Sequence, residues 1–304
     1  MRTRGAELKA ITASLDRVPA TLLLLLATVS IQFGSAIAAT LFSIFSPVAV
    51  LFLRQTLGSL FLCLLYRRAI AGALRTAPVG VLLLGLAMTA TSVLFFEALA
   101  RIPLGIAVTI EFLGPLGVAL ATSRRPVDVL CVLLAAAGIF LLTPAVGSNL
   151  DLGGVLFAFG AAAGWAATIL ASRHLAPRVE GGVGLALAMA LSALLLLPVA
   201  ALPALSGLVR HPEALTAIVG ATLLSAAVPM LFEFLALKKI TAKTYGVIVS
   251  LDPVVATLVG IVTLGERVDL KAGAAMAMIS VASAGAALAS RNDAKPKIPA
   301  AGAQ

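Results

Sequence analysis

Seven long stretches of the chain contain no Asp, Glu, Lys or Arg. They cover residues 18–53, 76–96, 129–150, 152–172, 181–209, 214–232 and 272–290. About 20 apolar residues in a helix cross the hydrocarbon core of a bilayer, so several stretches suffice for one crossing and the longest need a turn. The chain is 61% hydrophobic and 12% charged, whereas about 25% of the residues in a soluble domain are charged. The sequence therefore predicts a protein that crosses a membrane several times.

Turns at Ser46-Pro47 and Ile102-Pro103, and at the charged clusters, divide these stretches into ten predicted helices. The predicted helices span residues 19–41, 47–66, 78–100, 103–123, 127–145, 152–171, 182–203, 213–236, 243–264 and 270–290. Strands are excluded because an open sheet leaves backbone groups unpaired in lipid, and the stretches are too long and too uniformly apolar for barrel strands. The predicted fold class is an all-α integral membrane protein with ten transmembrane helices.

Basic residues are distributed unequally between the two sides that these helices define. With the N-terminus inside, 17 Lys and Arg residues lie on the cytoplasmic side and four on the opposite side. This positive-inside pattern predicts that the tails 1–18 and 291–304 are both cytoplasmic. A cleaved signal peptide is disfavoured, because the first apolar stretch is longer than a signal sequence and nine more helices follow. The basic charge thus indicates topology and contact with membrane lipids, rather than nucleic-acid binding.

A shift of the sequence by 138 residues aligns part of the chain with itself. Eight residues within 96–120 are identical to their counterparts within 234–258, without a gap. We therefore predict two repeats of five helices, residues 19–145 and 152–290. Since five is odd, the second repeat would enter the membrane in the opposite direction. Inverted repeats of this kind are typical of carriers that expose one central site to each side of the membrane in turn.

Four acidic residues and one arginine lie within the predicted helices. The acids are Glu97, Glu111, Glu233 and Asp252, and the base is Arg54. A charge at the centre of a membrane helix costs about 2.5–3.5 kcal/mol, so such residues are candidates for transport or coupling roles. Because four buried acids outnumber one buried base, burial disfavours the ionised form, and at least one acid is expected to bind a proton reversibly. All four acids are therefore proton-coupling candidates.

Two prolines occupy equivalent positions under the shift of 138 residues. Pro115 and Pro253 lie about halfway along their predicted helices, where a proline removes a backbone hydrogen bond. We predict bends at both positions, and such bends are what a gate between the two sides would need. Glu111 and Asp252 lie close to these prolines, so hydrogen bonding to the released backbone groups is their alternative, structural role.

The other charged residues also have structural interpretations. Arg54 can neutralise an acid on a neighbouring helix. Glu97 and Glu233 lie near helix ends, where a neighbouring Arg or Lys can solvate them. Glu266, directly after Gly265, is predicted to be a solvated turn residue.

The sequence lacks the residue sets that are typical of enzymes and metal centres. Cys63 and Cys131 lie in predicted helices, His174 and His211 lie in short loops, and none of them has metal-ligand spacing. A catalytic Ser/His/Asp set at a common membrane face is also missing. We therefore expect no metal, no cofactor and no enzyme activity. A membrane-embedded enzyme is the less favoured class, and turnover of a lipid-linked substrate would identify it.

One set of residues resembles a known family. The matching residues are Ser30-Ile31-Gln32, Arg54, Leu57-Gly58, residues 103–108, Glu111-Phe112, Gly114-Pro115-Leu116, residues 118–120 and 123–128, Trp165-Ala166, Glu233, Ala236-Leu237, Asp252-Pro253 and Leu264-Gly265-Glu266. In these residues the chain resembles the EamA family of the drug/metabolite transporter superfamily, over all but its terminal tails. At position 252 the family usually has Glu, so the shorter Asp252 reaches less far.

The resemblance implies ten helices in two inverted repeats around a central cavity. It also implies proton-driven export of small neutral amino acids, of the threonine and homoserine kind, across the bacterial inner membrane. Arg54 would then bind the substrate carboxylate and Glu111 its ammonium group. Further candidate substrate contacts are Gln32, Thr109, Thr168 and, in the cavity wall, Trp165.

Two questions stay open at this point. A broad-specificity drug or metabolite efflux carrier of the same fold is the alternative function, although only 5% of residues are aromatic, which disfavours a promiscuous aromatic pocket. The expected partners are a small amino acid, protons and membrane lipids. The small-residue faces of the helices fit either a monomer or a dimer.

Overall fold

The computed structural model describes residues 18–121, 130–131, 133–135, 137–138, 141, 151–175, 178–179, 181–237, 239–240 and 242–289. These residues form helices and short connections, and they include no strand. Both predicted tails lie outside the described residues, apart from Val18. The described residues of the predicted helix 127–145 are helical, and the rest of that helix lies outside them.

Thirteen α-helices are described. They are α1 (Ala20–Thr40), α2 (Pro47–Leu65), α3 (Arg67–Thr76), α4 (Pro78–Leu99), α5 (Leu104–Glu111), α6 (Leu113–Ala121), α7 (Leu152–Leu175), α8 (Gly181–Arg210), α9 (Ala214–Thr222), α10 (Val228–Leu237), α11 (Ala242–Val249), α12 (Asp252–Val259) and α13 (Leu270–Ala289). A 3-10 turn, Leu41–Ser43, follows α1, and π-helical turns, Leu223–Ala227 and Gly260–Leu264, follow α9 and α12.

Six of the described helical segments are long and apolar enough to cross a membrane. They are Ala20–Ser43, Pro47–Leu65, Pro78–Leu99, Leu152–Leu175, Gly182–Arg210 and Thr244–Leu264. Shorter apolar helices span Leu104–Val118, Ala214–Met230 and Leu270–Gly285. The predicted class of a multi-span helical membrane protein is therefore confirmed.

Helix α3 was not predicted as a helix. It has ten residues, and its small apolar residues Ala73, Ala69 and Ile70 pack on a cluster between α4 and α8, while Arg67 and Arg75 are exposed. Such a helix is too short and too polar to cross a membrane. The sequence does carry its signal, because the apolar residues recur with helical spacing in a stretch that hydropathy assigns to a loop.

The two predicted bends coincide with short breaks in the helices, of one residue at Phe112 and of two residues at Ser250 and Leu251. Helix α5 ends at Glu111, four residues before Pro115, and α11 ends at Val249, four residues before Pro253. A proline ring clashes with the carbonyl group four residues before it, so each helix ends at the residue whose carbonyl the proline displaces. Each proline then lies in the first turn of the next helix, α6 or α12, where its missing N–H group costs nothing.

The first half of one interrupted helix, α5, packs antiparallel to the second half of the other, α12. Leu104, at the start of α5, packs in one cluster with Val259, at the end of α12, and Val108 packs there with Ala256. An added Cβ at Gly105 would lie 2.9 Å from the Cα of Thr257, so glycine permits this close approach of the two backbones. The start of α5 thus lies at the end of α12, and the two short helices are antiparallel.

The packing pattern treats the two halves of the chain alike. Helix α4 packs along α7, and the corresponding segment of the second half, α9 to α10, packs along α1. Helix α2 packs along α8, and α5 packs along α12. An exchange of the two halves preserves the first two kinds of contact, whereas the α5–α12 contact has no comparable counterpart between the described residues of α11 and α6.

The two ends of the bundle differ in how closely these interrupted helices approach. We call the end with the start of α1 the Ala20 end and the opposite end the Glu266 end. At the Glu266 end, α5 and α12 are in extended contact, and Ala36, Leu99 and Leu104 fill the space between them. At the Ala20 end, the described residues of α6 and α11 make no comparable contact. The halves are thus closed together at one end of the bundle.

Candidate functional site

Asp252 is the first residue of α12, directly after the break. It is 9% exposed, and the hydroxyl of Thr28 on α1 donates a hydrogen bond to its carboxylate. Its Oδ1 atom is buried and accepts no hydrogen bond within the described residues. The N-terminus of a helix carries partial positive charge, so α12 favours the ionised carboxylate here. Asp252 therefore has one carboxylate oxygen bonded to α1 and a second, buried oxygen that a ligand can use.

Gln32 is one helical turn beyond Thr28 on α1. It is 3% exposed, and its Oε1 atom also lacks a hydrogen bond within the described residues. On a helix of 3.6 residues per turn, Gln32 lies between Thr28, which bonds Asp252, and Ala36, which packs against α5 and α12. The amide is therefore on the face of α1 that meets both interrupted helices. A buried amide oxygen and a buried carboxylate oxygen on neighbouring elements suit a cationic group.

Glu111 is the last residue of α5, on the other side of the equivalent break. Its carboxylate is close enough to Asp252 for the two charges to interact. The C-terminus of a helix carries partial negative charge, so α5 disfavours a charge here, in contrast to α12 at Asp252. The next residue, Phe112, packs edge-on against Trp165 with 5.4 Å between the ring centroids. Trp165 thus contacts the break itself.

Glu233 and Tyr245 extend this acidic group toward the Ala20 end. The Tyr245 hydroxyl donates to Glu233 Oε1 at 3.5 Å, and Glu233 also interacts electrostatically with Asp252. Tyr245 packs with Ala20 and Leu24 at the start of α1. The three acids therefore form a series from the break of the first half to the Ala20 end.

Arg54 lies on α2, and its guanidinium group contacts a hydroxyl and an aromatic ring rather than an acid. Its Nη2 donates to Ser225 Oγ in the π-helical turn after α9, and its guanidinium lies 4.9 Å from the centroid of the Phe96 ring. Its Nε is buried without an acceptor, and among the described ion pairs none includes Arg54. The sequence offered an acid on a neighbouring helix as the partner of this arginine, and the structure shows no such pair among the described residues. Its charge is thus available for an anionic group.

Glu97 belongs to an ion-pair set at the Glu266 end. Its carboxylate pairs with Arg101 one turn later, and Arg101 also lies 4.0 Å from Asp151 at the start of α7. The guanidinium of Arg101 is 4.8 Å from the centroid of the Phe157 ring. Glu97 is therefore apart from the other three acids, in the solvated setting that the sequence offered as its alternative.

The two candidate threonines have different surroundings. Thr109 is fully buried, and its hydroxyl donates to the Gly105 carbonyl at 2.6 Å within its own helix. Thr168 is half-buried on α7, with its Oγ1 3.4 Å from that of Thr91 on α4. Both hydroxyl groups thus have partners, which a substrate would replace.

Glu266 was wrongly predicted to be solvated. It is half-buried, its Oε1 accepts a hydrogen bond of 2.8 Å from the backbone N–H of Leu104, and a second backbone N–H, from Gly105, also bonds the carboxylate. Gly265 has φ of 66°, a left-handed conformation that turns the chain back. The Leu264-Gly265-Glu266 triplet is visible in the sequence, but its partner is 162 residues away.

Comparison with known proteins defines the class and then the family. The model of the EamA-like transporter family matches residues 152–288. The threonine/homoserine exporter RhtA of Escherichia coli strain K12 is 34% identical over 290 residues, which cover 93% of this chain and 97% of that protein. RhtA of Salmonella typhimurium strain SL1344 is 34% identical over 275 residues, which cover 90% and 92% of the two chains.

A solved crystal structure has the same fold. It has a TM-score of 0.51 and 22% sequence identity, and the match covers 88% of this chain and 96% of the other. A multi-pass helical membrane protein with ionisable residues at broken helices is typical of the transporter class. The chain belongs to the EamA family of the drug/metabolite transporter superfamily.

Proposed function

We propose that the protein exports small neutral amino acids of the threonine and homoserine kind across the bacterial inner membrane, in exchange for protons. The observation that carries this proposal is the pair of acids at the two helix breaks, Glu111 and Asp252, with a buried carboxylate oxygen that lacks a partner. The exporters to which the chain is 34% identical supply the substrate class. Burial of an uncompensated acid is typical of proton relays in membrane carriers.

The proposed architecture is ten helices in two inverted repeats, residues 19–145 and 152–290. The antiparallel pairing of α5 with α12 and the exchangeable set of helix contacts support it. The proposed orientation places the Ala20 end in the cytoplasm with both termini. The described basic residues Arg67, Arg68, Arg75, Arg173, Arg178 and Lys239 lie at this end and support the orientation.

Alternating access is the proposed mechanism. The close packing of α5 on α12 at the Glu266 end, without a counterpart at the Ala20 end, supports an arrangement that is closed to the outside. The breaks before Pro115 and Pro253 supply the joints, because the half-helices on either side of a break can move separately. Rocking at these joints would open the Glu266 end and close the Ala20 end.

Substrate binding would use the two opposite charges. Arg54 has no acidic partner, so a substrate carboxylate can replace Ser225 on its guanidinium. The substrate ammonium group would bind at Glu111, where Asp252 and Gln32 provide further oxygens. Thr109, Thr168 and Trp165 are the proposed neighbours of the substrate side chain.

Proton coupling would use the acids at and below the breaks. A proton from outside neutralises Glu111, weakens its hold on the ammonium group and releases the substrate. Asp252 and then Glu233 with Tyr245 would return the proton toward the Ala20 end, since each member of this series interacts with the next. Glu97 is a less favoured proton carrier, because Arg101 already compensates its charge.

Efflux from liposomes tests the proposal. Vesicles with the full-length protein are loaded with labelled threonine, homoserine or leucine, and external acidification is expected to accelerate threonine and homoserine efflux most. Glu111→Gln should abolish the acceleration while exchange continues, and Glu213→Gln, at an exposed loop residue, is the control. Acceleration that survives Glu111→Gln would exclude Glu111 from coupling.

The same vesicles test substrate recognition. Arg54→Ala should reduce counterflow of threonine about 30-fold or more, because a buried charge loses its partner. Unchanged counterflow would remove Arg54 from the carboxylate site. Competition by cationic dyes, without competition by amino acids, would favour the broad-specificity efflux carrier instead.

A further inference from the structure

Glu266 makes a bond that joins the two halves of the chain. Its segment follows the π-helical turn after α12, and the N–H groups that it binds begin α5 in the other half. Its own backbone N–H donates to the Gly260 carbonyl at 3.2 Å, which fixes the carboxylate over the helix end. The Oε2 atom of Glu266 is buried against Gly260 and accepts no hydrogen bond within the described residues. The carboxylate therefore lies at the closed end of the bundle and between its two halves.

Two other acids at the Glu266 end bind helix ends only locally. Asp151 accepts from the N–H of Gly153 at 2.7 Å, and Asp269 accepts from the N–H of Ala272 at 2.7 Å. Both bonds connect residues two or three positions apart, at the starts of α7 and α13, so movement between the halves leaves them intact. Only Glu266, of these three, has a bond that must break when α5 and α12 separate.

We propose that Glu266 is the latch of the outer gate: its carboxylate holds the start of α5 against the end of α12 while the carrier is closed to the outside, and it releases α5 when that end opens. This inference rests on the alternating-access part of the proposed function and not on the identity of the substrate. The surrounding apolar cluster, which includes Ala36, Leu99 and Val259, separates in the same step.

The latch also responds to protons. Burial raises the pKa of Glu266 above its ordinary value, although the N–H groups of Leu104 and Gly105 partly oppose the shift. In the open arrangement water reaches the carboxylate, and its pKa returns to its ordinary value. The closed arrangement therefore binds the proton more tightly, so acidification favours closure as the pH falls through the raised pKa. An exporter that takes up a proton from outside must close its outer gate at that step.

The charged groups around Glu266 are few. Arg267, Asp269 and Lys271 are exposed on its own segment, and Glu97, Arg101 and Asp151 lie at the same end on α4, the α4–α5 connection and the start of α7. Those last three pair with one another. On α5 and α12, the two helices that the latch joins, the charged residues are Glu111 and Asp252, at the breaks at the far ends of these helices. The pH response of the latch is thus assigned to Glu266.

Thiol accessibility tests the latch without any substrate. Cys63→Ala and Cys131→Ala remove the native thiols, and Val259→Cys places a reporter in the closed cluster, where Val259 is 5% exposed. The protein is studied in nanodiscs with a membrane-impermeant thiol reagent, so the result does not depend on orientation or export. Leu270→Cys, at a residue that is 90% exposed, corrects for the pH dependence of the thiol reaction itself.

Loss of the latch should expose the reporter. Glu266→Ala is expected to raise the modification rate at the introduced thiol about tenfold, since the hydrogen bond from Leu104 that joins the two halves is lost. Glu266→Gln preserves the shape and cannot ionise, so the corrected rate should no longer rise with pH. Asp269→Ala removes a local cap and should change neither quantity.

Two results would overturn the proposal that Glu266 is the latch. One is an equal modification rate in the parent protein and in Glu266→Ala. The other is a pH response that persists in Glu266→Gln, which decides the matter even if Glu266→Ala does not fold. Failure of amino-acid export with a positive thiol result would overturn the proposed substrate and leave the latch in place.

Discussion

The two interrupted helices have the same break but carry their acids on opposite sides of it. In the first half, Glu111 is the last residue before the break, at the C-terminus of α5. In the second half, Asp252 is the first residue after the break, at the N-terminus of α12. The dipole of the adjoining helix therefore disfavours charge at Glu111 and favours it at Asp252. Equivalent backbones thus give two carboxylates different electrostatic settings.

This difference indicates a division of labour between the halves. At Asp252 the helix N-terminus and the Thr28 hydroxyl partly favour the ionised form, so this acid can bind a cation between proton transfers. Glu111, with carbonyl groups behind it, is suited to gain and lose a proton. A carrier that exchanges a cationic group for a proton needs both properties at one place, and the two breaks bring them together.

The largest effects are expected from substitutions of the two carboxylates at the breaks, Asp252 and Glu111. Asp252→Asn should reduce export about 100-fold, because it removes the charge that α12 and Thr28 stabilise. Since the two carboxylates interact, the double variant Asp252→Asn, Glu111→Gln should lose much less export than the two single losses multiplied together. Labelled efflux from liposomes measures the four variants of the cycle. Strictly multiplicative effects would show that the breaks act independently.

The prolines should come next. Pro115→Ala and Pro253→Ala allow a continuous helix at a position where an interior proline costs about 3 kcal/mol. With about 2 kcal/mol of this acting on the transport step, each should slow export about 30-fold. The two effects should be similar, because the breaks are equivalent. Pro198→Ala is the matched control, since Pro198 lies inside α8 away from the breaks. A large effect at Pro198, or a strong asymmetry between the breaks, would contradict the comparison.

A smaller effect is expected for the donor to Asp252. Thr28→Val keeps the shape and removes one hydrogen bond to a charged group, which is equivalent to about a tenfold loss of export. Thr89→Val is the control, because the Thr89 hydroxyl is buried but bonds only the Gly85 carbonyl of its own helix. Equal effects of the two substitutions would mean that Thr28 serves stability rather than Asp252.

The smallest effect is expected at Glu97. Its pair with Arg101 is partly exposed, and such pairs contribute about 0–1 kcal/mol. Glu97→Gln should therefore leave export and its pH dependence within about twofold of the parent, as the efflux assay would show. A loss comparable to that of Asp252→Asn would place Glu97 in the proton route and extend the acidic group to the Glu266 end.

Much of the backbone followed from local sequence signals. Uniform apolar stretches predicted the spans, and Pro115 and Pro253 predicted the two bends, because a proline acts on the carbonyl only four residues away. Helix α3 was not predicted because its apolar face consists of only three residues, Ala69, Ile70 and Ala73, in a stretch that is otherwise polar. The partner of Arg54 also escaped, since Ser225 is on a helix 171 positions later and no local pattern marks it.

The sequence by itself determined that the chain is a helical membrane protein, where its helices break, and which ionisable residues lie among them. These properties depend on transfer into lipid and on backbone chemistry, and both act over one or two helical turns. The tertiary structure alone decided which of these residues meet: Asp252 with Thr28 and Glu111, Arg54 with Ser225, and Glu266 with the start of α5. Such pairs depend on how helices pack, and packing is a property of surfaces that the chain brings together from distant positions.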